Sequence, residues 1–146
     1  KHLERLYPGK NIYMSILKEL GLVNPRSPSE STFTVKTYSS LFRQLFNASY
    51  LTSEMSEKAL DLLTQSKFDK ALAAGIPKTI AIAHKFGERE GLADNEKQFH
   101  DCGIIYYPDN PYLLCVMTRG RTNDSLTNTI RIVSQKVYEE VDSRRF

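Results

Sequence analysis

The first half of the chain carries apolar residues at every third or fourth position, which predicts amphipathic helices. Gly21 is typical of a residue that ends a helix, and Thr34 is typical of an N-cap. Residues 22–31 form a Pro- and Ser-rich stretch with no period, as expected of a loop. The predicted helical segments are 11–21, 34–51 and 53–66, followed by a short helical turn at 68–77. Residues 1–77 are therefore expected to be the helical part of the chain.

The period of the apolar pattern changes from helical to alternating after Pro77, which predicts β-strands. The segment 108–111, with sequence PDNP, is a tight turn, so the two strands beside it are expected to form an antiparallel hairpin. The predicted strands are 78–86, 97–107 and 112–120, and the final segment 123–146 has the period of a long amphipathic helix. We therefore expect an α+β fold in which an antiparallel sheet of three strands is flanked by helices, with residues 78–146 supplying the strands and the last helix.

Alternation in the first strand separates large from small side chains. Ile80 and Ile82 are expected on one face of the sheet, and Ala81 and Ala83 on the other. Small side chains allow another layer to pack closely, so we expect a helix or strand against the alanine face, supplied by this chain or by residues outside it.

Composition excludes two classes of partner. The 146 residues carry a net charge of +3, and acids and bases are interleaved, which does not indicate a nucleic-acid-binding surface. No apolar run approaches the ~18 residues that a membrane span needs, and no signal peptide is recognisable. The chain begins with Lys1 rather than Met, so we do not expect it to be a complete translation product. No cofactor is expected.

The two cysteines, Cys102 and Cys115, fall in neighbouring predicted strands. Two thiols do not make a zinc site, and the three histidines are too scattered to complete one, so no metal site is expected. Pairing in a disulfide depends on the strand register, which the sequence does not fix. Two buried free thiols are the expected state, with a disulfide as the alternative.

Lys85-Phe86-Gly87 stands at the end of a predicted strand, in the sequence AHKFGE, and is followed by two more strands and a long helix. This arrangement resembles the C-terminal half of the class A β-lactamase-like serine hydrolases, the superfamily of penicillin-binding proteins and serine β-lactamases. The family carries Lys-Thr-Gly or Lys-Ser-Gly on the strand that lines the active site. The resemblance covers most of the chain and implies an incomplete β-lactamase/transpeptidase-like domain over 1–146.

The resemblance implies specific roles at four positions. Lys85 would bind a substrate carboxylate, and Gly87 would let the ligand approach the backbone closely. Glu88 would contribute its backbone N–H to an oxyanion hole while its side chain points elsewhere. Lys85, Phe86 and Gly87 are the expected substrate-binding residues, and Lys85 and Glu88 the expected catalytic ones.

The sequence also departs from the family pattern. Phe86 replaces the hydroxyl residue that would bond the carboxylate, and alternation places His84 on the face opposite Lys85. The one Ser-x-x-Lys motif, Ser15 to Lys18, lies in mid-helix and too close to Lys85, so it is expected to be helix surface. No Ser-Asp-Asn follows it, and neither Glu19 nor Glu30 begins the Glu-x-x-Leu-Asn motif of a deacylating base. The nucleophile is therefore expected outside these residues.

Three other polar groups are candidates for functional roles. His100 and Asp101 are adjacent in a strand, so they cannot bond each other; one is expected to face the cleft, and a structural role such as bonding a loop is favoured. Arg119 and Arg121 are expected to form a basic surface turn, with contact to an acidic substrate group as the alternative. Packing or rim positions are expected for Tyr106, Tyr107 and Tyr112.

The resemblance implies a serine hydrolase acting on β-lactam or peptidoglycan-type amides through an acyl-enzyme. The alternative is a non-catalytic penicillin-binding-like module that binds cell-wall peptide or a protein partner; an unrelated α+β interaction domain is a third possibility. The expected partners are a small-molecule or peptidoglycan-peptide substrate and the N-terminal part of the same domain. The implied location is the bacterial cell envelope or the exterior, and the isolated chain is expected to be inactive.

Overall fold

The segments with alternating polarity form one antiparallel sheet in the computed structural model of the chain, which describes residues 5–6, 8, 12–23, 33–90 and 95–144 apart from the side chain of Tyr13. The strands lie in the order β1-β2-β3. They are β1 (Ile82–Arg89), β2 (Lys97–Ile105) and β3 (Tyr112–Gly120). Among the described residues, β1 and β3 are therefore the two edges of the sheet, and each has one unpaired side.

The strand boundaries differ from prediction mainly in β1. The backbone N–H of Ile80 donates to the carbonyl of Pro77 at 3.0 Å, so residues 77–80 form a turn and the strand starts four residues later than predicted. At its other end β1 continues through Gly87 to Arg89, because each of these residues has a partner in β2. The predicted β2–β3 hairpin is confirmed, and β3 has the predicted bounds.

The helices begin and end where capping residues allow. The helix α1 (Ile12–Glu19) ends at Gly21, whose positive φ of 67° lets the N–H of Leu22 reach the carbonyl of Leu17. The helix α2 (Val35–Phe46) has Thr34 as its N-cap, as predicted. The helix α3 (Ser53–Thr64) is capped by Thr52, whose hydroxyl accepts from the N–H of Met55.

The C-terminal segment forms the longest of the described helices, α4 (Asn123–Ser143), capped by Thr122. A short 3-10 turn at Ala73–Gly75 packs directly against it. A Cβ on Gly75 would lie 2.5 Å from the carbonyl of Arg131, so a residue without a side chain is required at this contact. The predicted loop 22–31 lies mostly outside the described residues, and so does Glu30.

Helices cover both faces of the sheet. Buried side chains from α2 and α3 contact the face that carries Ala83, which confirms the predicted close layer there and shows that this chain supplies it. The other face packs on the 3-10 turn and α4, through a second cluster that includes Leu72, Phe99 and Ile130. We refer below to these as the α2/α3 face and the α4 face. The α+β fold with an antiparallel three-stranded sheet is thus confirmed.

Cys102 and Cys115 form a disulfide, so the expectation of two free thiols is wrong. The two residues lie directly opposite each other in the register of β2 and β3, on the α2/α3 face. The sequence could not decide between the alternatives, because a shift of one residue in register would have separated the two side chains. The bond covalently links the middle strand to the edge strand β3.

Breaking the disulfide is expected to lower the free energy of unfolding by about 3 kcal/mol, the effect of releasing a loop of this size in the unfolded chain. The variant Cys102→Ala/Cys115→Ala, in the full-length protein, should show this loss in urea unfolding without a reductant. Without reductant, the unfolded wild-type protein should react with no thiol-alkylating reagent at these positions; alkylation of both cysteines would contradict the assignment.

Candidate active site

The register places three rows of side chains across the α2/α3 face, each row containing one residue from every strand. Because side chains alternate along a strand, residues in successive rows are two positions apart. The rows, from the end of the sheet inward, are Arg89–Gln98–Arg119, Gly87–His100–Met117 and Lys85–Cys102–Cys115. Two residues predicted to act together, Lys85 and Gly87, therefore stand beside His100 on one face.

Lys85 lies on the edge strand, and its amine is exposed at the open side of β1. The Nζ atom donates to the carbonyl of Phe86 at 2.7 Å and lies 4.8 Å from the centroid of the Phe86 ring. Since Phe86 points to the opposite face, the lysine side chain must bend across the strand edge to make these contacts. No ion pair of Lys85 occurs among the described residues, so its charge is not neutralised by a neighbouring carboxylate in that part of the chain.

The direction of the backbone groups along β1 follows from one hydrogen bond. The N–H of Tyr106 donates to the carbonyl of Ala81 at 3.0 Å, so odd-numbered residues of β1 direct their N–H and C=O groups towards β2. Even-numbered residues, including Phe86 and Glu88, direct theirs to the open side. The Glu88 carboxylate accepts from Nδ2 of Asn123 at 3.3 Å, which directs the side chain away from the lysine.

Phe86 packs on the α4 face inside an aromatic cluster. Its ring stacks on Phe68 with centroids 3.9 Å apart and on Phe99 with centroids 5.8 Å apart. The position at which the family carries a hydroxyl residue is therefore used here for core packing. This explains how the chain tolerates Phe86, but it supplies no hydrogen-bond donor for a carboxylate.

Gly87 makes room for the His100 ring. A Cβ atom at position 87 would lie 2.5 Å from Cε1 and 2.8 Å from Nε2 of His100, closer than real Cβ contacts. The imidazole thus extends from the middle strand across Gly87 towards the open edge. The space left by the glycine on this face is occupied by His100.

His100 is half-buried, and its surroundings favour the neutral ring. Burial lowers its pKa below the ordinary 6.5, Asp101 acts in the opposite direction, and the positive charge of Lys85 lowers the pKa further. The ring also contacts Tyr38 edge-on, with centroids 4.9 Å apart. The expectation that one of His100 and Asp101 faces the cleft is met by His100.

The titration of His100 provides a test of this geometry. We expect an NMR titration of its Cε1–H to give a pKa below 6.5, and we expect Lys85→Ala to raise it because a nearby positive charge is removed. Since the folded state binds the proton less tightly than the unfolded state, this residue should reduce stability as the pH falls below about 6.5. An unchanged pKa in Lys85→Ala would show that the amine and the ring do not interact.

A cavity of about 560 Å³ opens beside these rows, at the end of the sheet near the start of α2. Its aromatic wall consists of Phe33, Tyr38 and His100, and Met117 contributes a further apolar surface. Arg89, Gln98 and Arg119 supply polar lining, and Glu88, whose carboxylate accepts from Asn123, also lines the cavity. The size lies within the usual range for a small-molecule site, and both apolar and cationic groups face the space.

His84 and Asp101 form a buried pair on the α4 face. Nδ1 of His84 lies 3.0 Å from Oδ1 of Asp101, and Oδ2 accepts from the N–H of Leu72 at 3.1 Å. Asp101 is fully buried and His84 is 3% exposed. The predicted structural role is confirmed for Asp101, which ties β2 both to β1 and to Leu72, at the start of the 3-10 turn that precedes β1.

The remaining candidates do not join the cavity, except Arg119. Ser15 and Lys18 are exposed on α1, and Arg121 is exposed after β3. Arg119 forms an ion pair with Glu96, so the predicted basic turn is partly neutralised.

The tyrosines beside the hairpin are packed, as predicted. Tyr107 donates to Asp142 at 2.8 Å. Burial, aided by Tyr138, raises the pKa of Tyr112 to about 12.

The described ranges contain neither a metal-binding cluster nor a membrane-spanning helix. No three His, Cys, Asp or Glu side chains there lie close enough to hold a metal ion. None of the helices described combines the length and apolar character needed to cross a bilayer.

Sequence reasoning missed the row Arg89–Gln98–Arg119 and the contact of His100 with Gly87. The signal was present in part, since Arg89, His100 and Arg119 were visible as polar residues in or near strands. Only the register, which pairs positions separated by 9 to 21 residues, brings them to one place.

The fold is shared with several solved structures. A structure of PBP-A is 22% identical with a TM-score of 0.70, over 88% of this chain and 50% of that one. A β-lactamase from Chitinophaga pinensis is 18% identical with a TM-score of 0.72, over 96% of this chain and 58% of that one. A class D β-lactamase from Sebaldella termitidis is 16% identical with a TM-score of 0.65, over 92% and 55% of the respective chains.

At these identities the likeness establishes the fold alone, and this chain spans between 50% and 58% of the length of these structures. None of the curated proteins matches the sequence significantly. The sequence does match the β-lactamase enzyme family over residues 6–141, which is nearly the whole chain. The chain, with its lysine-bearing edge strand and its antiparallel sheet between two helical layers, therefore belongs to the β-lactamase enzyme family.

Proposed function

We propose that this chain forms one wall of the acyl-transfer site of a serine hydrolase acting on β-lactam or peptidoglycan-type amides. The observation that carries the proposal is the placement of two groups on one open strand edge in a member of the β-lactamase family. These groups are the amine of Lys85, which forms no ion pair within the described part of the chain, and the outward backbone N–H of Glu88. A cation and an N–H donor on one strand edge suit an acyl donor that carries a carboxylate.

Each group has a distinct task in this reaction. Lys85 binds the substrate carboxylate through a charge-assisted hydrogen bond, giving up its contact with the Phe86 carbonyl. The N–H of Glu88 donates to the carbonyl oxygen that becomes negative when a serine hydroxyl attacks. The attack forms a serine ester and breaks the amide C–N bond, and the serine proton passes to the departing nitrogen through a base.

The nucleophile and its base are proposed to come from outside the 146 residues. Ser15 and Lys18 lie in the interior of α1, away from the helix N-terminus whose free N–H groups would favour an activated hydroxyl. Glu19 is also unsuited as a deacylating base, because its carboxylate accepts from the Tyr50 hydroxyl at 2.6 Å at the exposed end of α1. The isolated chain is accordingly expected to be inactive, and turnover of a chromogenic cephalosporin by it would contradict this expectation.

The test is covalent labelling of the full-length protein that carries this chain. A fluorescent penicillin should form an adduct that survives denaturation, located by mass spectrometry on a serine outside residues 1–146. The label should persist for long periods, since no positioned deacylating glutamate is found among the described residues. A full-length protein that binds the probe reversibly and forms no adduct would contradict the proposal.

Phe86 favours one alternative function, a non-catalytic module that binds cell-wall peptide or a protein partner. Its ring is committed to the stack with Phe68 and cannot bond a carboxylate, so a recognition group of the catalytic members is absent. Reversible peptide binding without an adduct, measured on the same preparation, would support this alternative. An adduct would exclude it.

We also propose the location and the protein partner of the chain. The disulfide between Cys102 and Cys115 suits an oxidising compartment, so we place the protein in the bacterial cell envelope or outside the cell. The partner that completes the site is proposed to be the N-terminal part of the same domain. Cell fractionation followed by alkylation of free thiols tests the location, and finding the protein reduced in the cytosol would contradict it.

A further inference from the structure

We propose that the cavity at the end of the sheet binds a carboxylate carried on an aromatic side group of the ligand. The role of this cavity in selecting substrates rests on the proposed function, in which Lys85 binds one substrate carboxylate. The cavity adds a second anion-binding position, which selects acyl donors with an acidic side group. Arg89 and Lys85 lie four residues apart on the same face of β1, which separates their Cα atoms by about 13 Å.

Arg89 is the principal cation of this site. Arg119 is already paired with Glu96, so its charge is largely balanced. Arg89 is exposed at the cavity and forms no ion pair among the residues that the structure describes. Its guanidinium can bond both oxygens of one carboxylate, and the Gln98 amide beside it in the row can donate a further hydrogen bond.

The opposite wall suits an aromatic body. Phe33 and Tyr38 have ring centroids 6.4 Å apart, and His100 meets Tyr38 edge-on. Burial and the charge of Lys85 lower the pKa of His100 against the opposing effect of Asp101, which favours an uncharged ring in this wall. Aromatic side chains offer large, rigid contact surfaces, so the walls give an aromatic group apolar contact while its acid reaches Arg89.

The residues that line the cavity come from separate parts of the sequence, and this favours a binding function over chance exposure of one arginine. The polar row Arg89–Gln98–Arg119 comes from three strands, and the aromatic wall combines His100 of β2 with Phe33 and Tyr38 at the start of α2. The row that contains Arg89 lies nearer the end of the sheet, and the row that contains His100 and Met117 lies inward. The cationic and apolar groups of the cavity therefore follow one another in the same order as the carboxylate and the ring of an aromatic acid.

The test compares two probes that differ only in charge, phenylacetate and phenylacetamide. Binding to the full-length protein is followed by NMR at the His100 ring, at pH 7 and low salt. We expect phenylacetate to bind about tenfold more tightly than phenylacetamide, the effect of one charge-assisted hydrogen-bonded pair at a partly exposed site. Raising the salt concentration should reduce this preference.

Arg89→Gln should abolish the preference for phenylacetate and leave the affinity for phenylacetamide unchanged. The matched control is Lys78→Gln, which removes one exposed positive charge outside the cavity and should keep the preference. Equal affinities for the two probes in the wild type, or a tenfold preference that survives Arg89→Gln, would overturn the proposal. The readout needs no acylation, so absence of penicillin labelling would count against the proposed function and not against this site.

Discussion

Replacing Lys85 with alanine is expected to slow acylation of the full-length protein by penicillin about 100-fold at subsaturating concentration, the effect of losing one charged hydrogen bond to a carboxylate. The structure gives the amine only a contact with the Phe86 carbonyl and no ion pair among the described residues, so the charge is free to bind a substrate. The measurement is the second-order rate of labelling by a fluorescent penicillin.

A conservative variant and a remote one separate binding from folding. Lys85→Arg should recover part of the rate because the positive charge remains, while Lys67→Ala, on an exposed residue between α3 and β1, should leave the rate unchanged. Urea unfolding should show little change for any of the three, because the Lys85 side chain is exposed. A Lys85→Ala protein that labels at the wild-type rate would remove the main support for the proposed function.

Replacing Asp101 with alanine is expected to have the largest effect on stability, a loss of about 3–5 kcal/mol. The carboxylate is fully buried and accepts from both His84 and the N–H of Leu72. Without it both of these buried polar groups lose a partner that water cannot easily replace, and a cavity forms beside Leu72. Urea unfolding of the full-length protein measures the loss.

The control for this prediction is Asp69→Ala, because Asp69 is exposed and lies close in sequence to the same turn. It should change the free energy of unfolding by less than about 0.5 kcal/mol. Asp101→Asn should fall between the two, because an amide can still accept one hydrogen bond. A loss below about 1 kcal/mol for Asp101→Ala would show that the His84–Asp101 pair contributes little net stability.

Local patterns were sufficient for most of the secondary structure. The helical spacing before Pro77, the PDNP turn and the threonine at position 34 act over a few residues, and the structure reproduces the elements they predict. The clear error was the start of the first strand. Residues 78–80 have the composition of a strand, but the hydrogen bond between Ile80 and Pro77 closes a turn there.

The sequence predicted the candidate site only where its residues are consecutive in the chain. Lys85, Phe86 and Gly87 are consecutive, and alternation alone placed the neighbouring His84 on the face opposite Lys85, as the structure has it. The disulfide and the buried His84–Asp101 pair were not predictable. Each of these joins residues from two strands, and the distance between the two residues depends on the strand register and on core packing.

The sequence by itself determined the helical and strand segments, the hairpin and the lysine at the end of an alternating segment, because these depend on interactions between near neighbours in the chain. Tertiary structure decided which residues meet: Cys102 with Cys115, His100 over Gly87, and Arg89 beside Gln98 and Arg119. The physical reason is that side chains from different strands become neighbours only when hydrogen bonding and core packing select one register, and a shift of one residue would move every one of them to the other face.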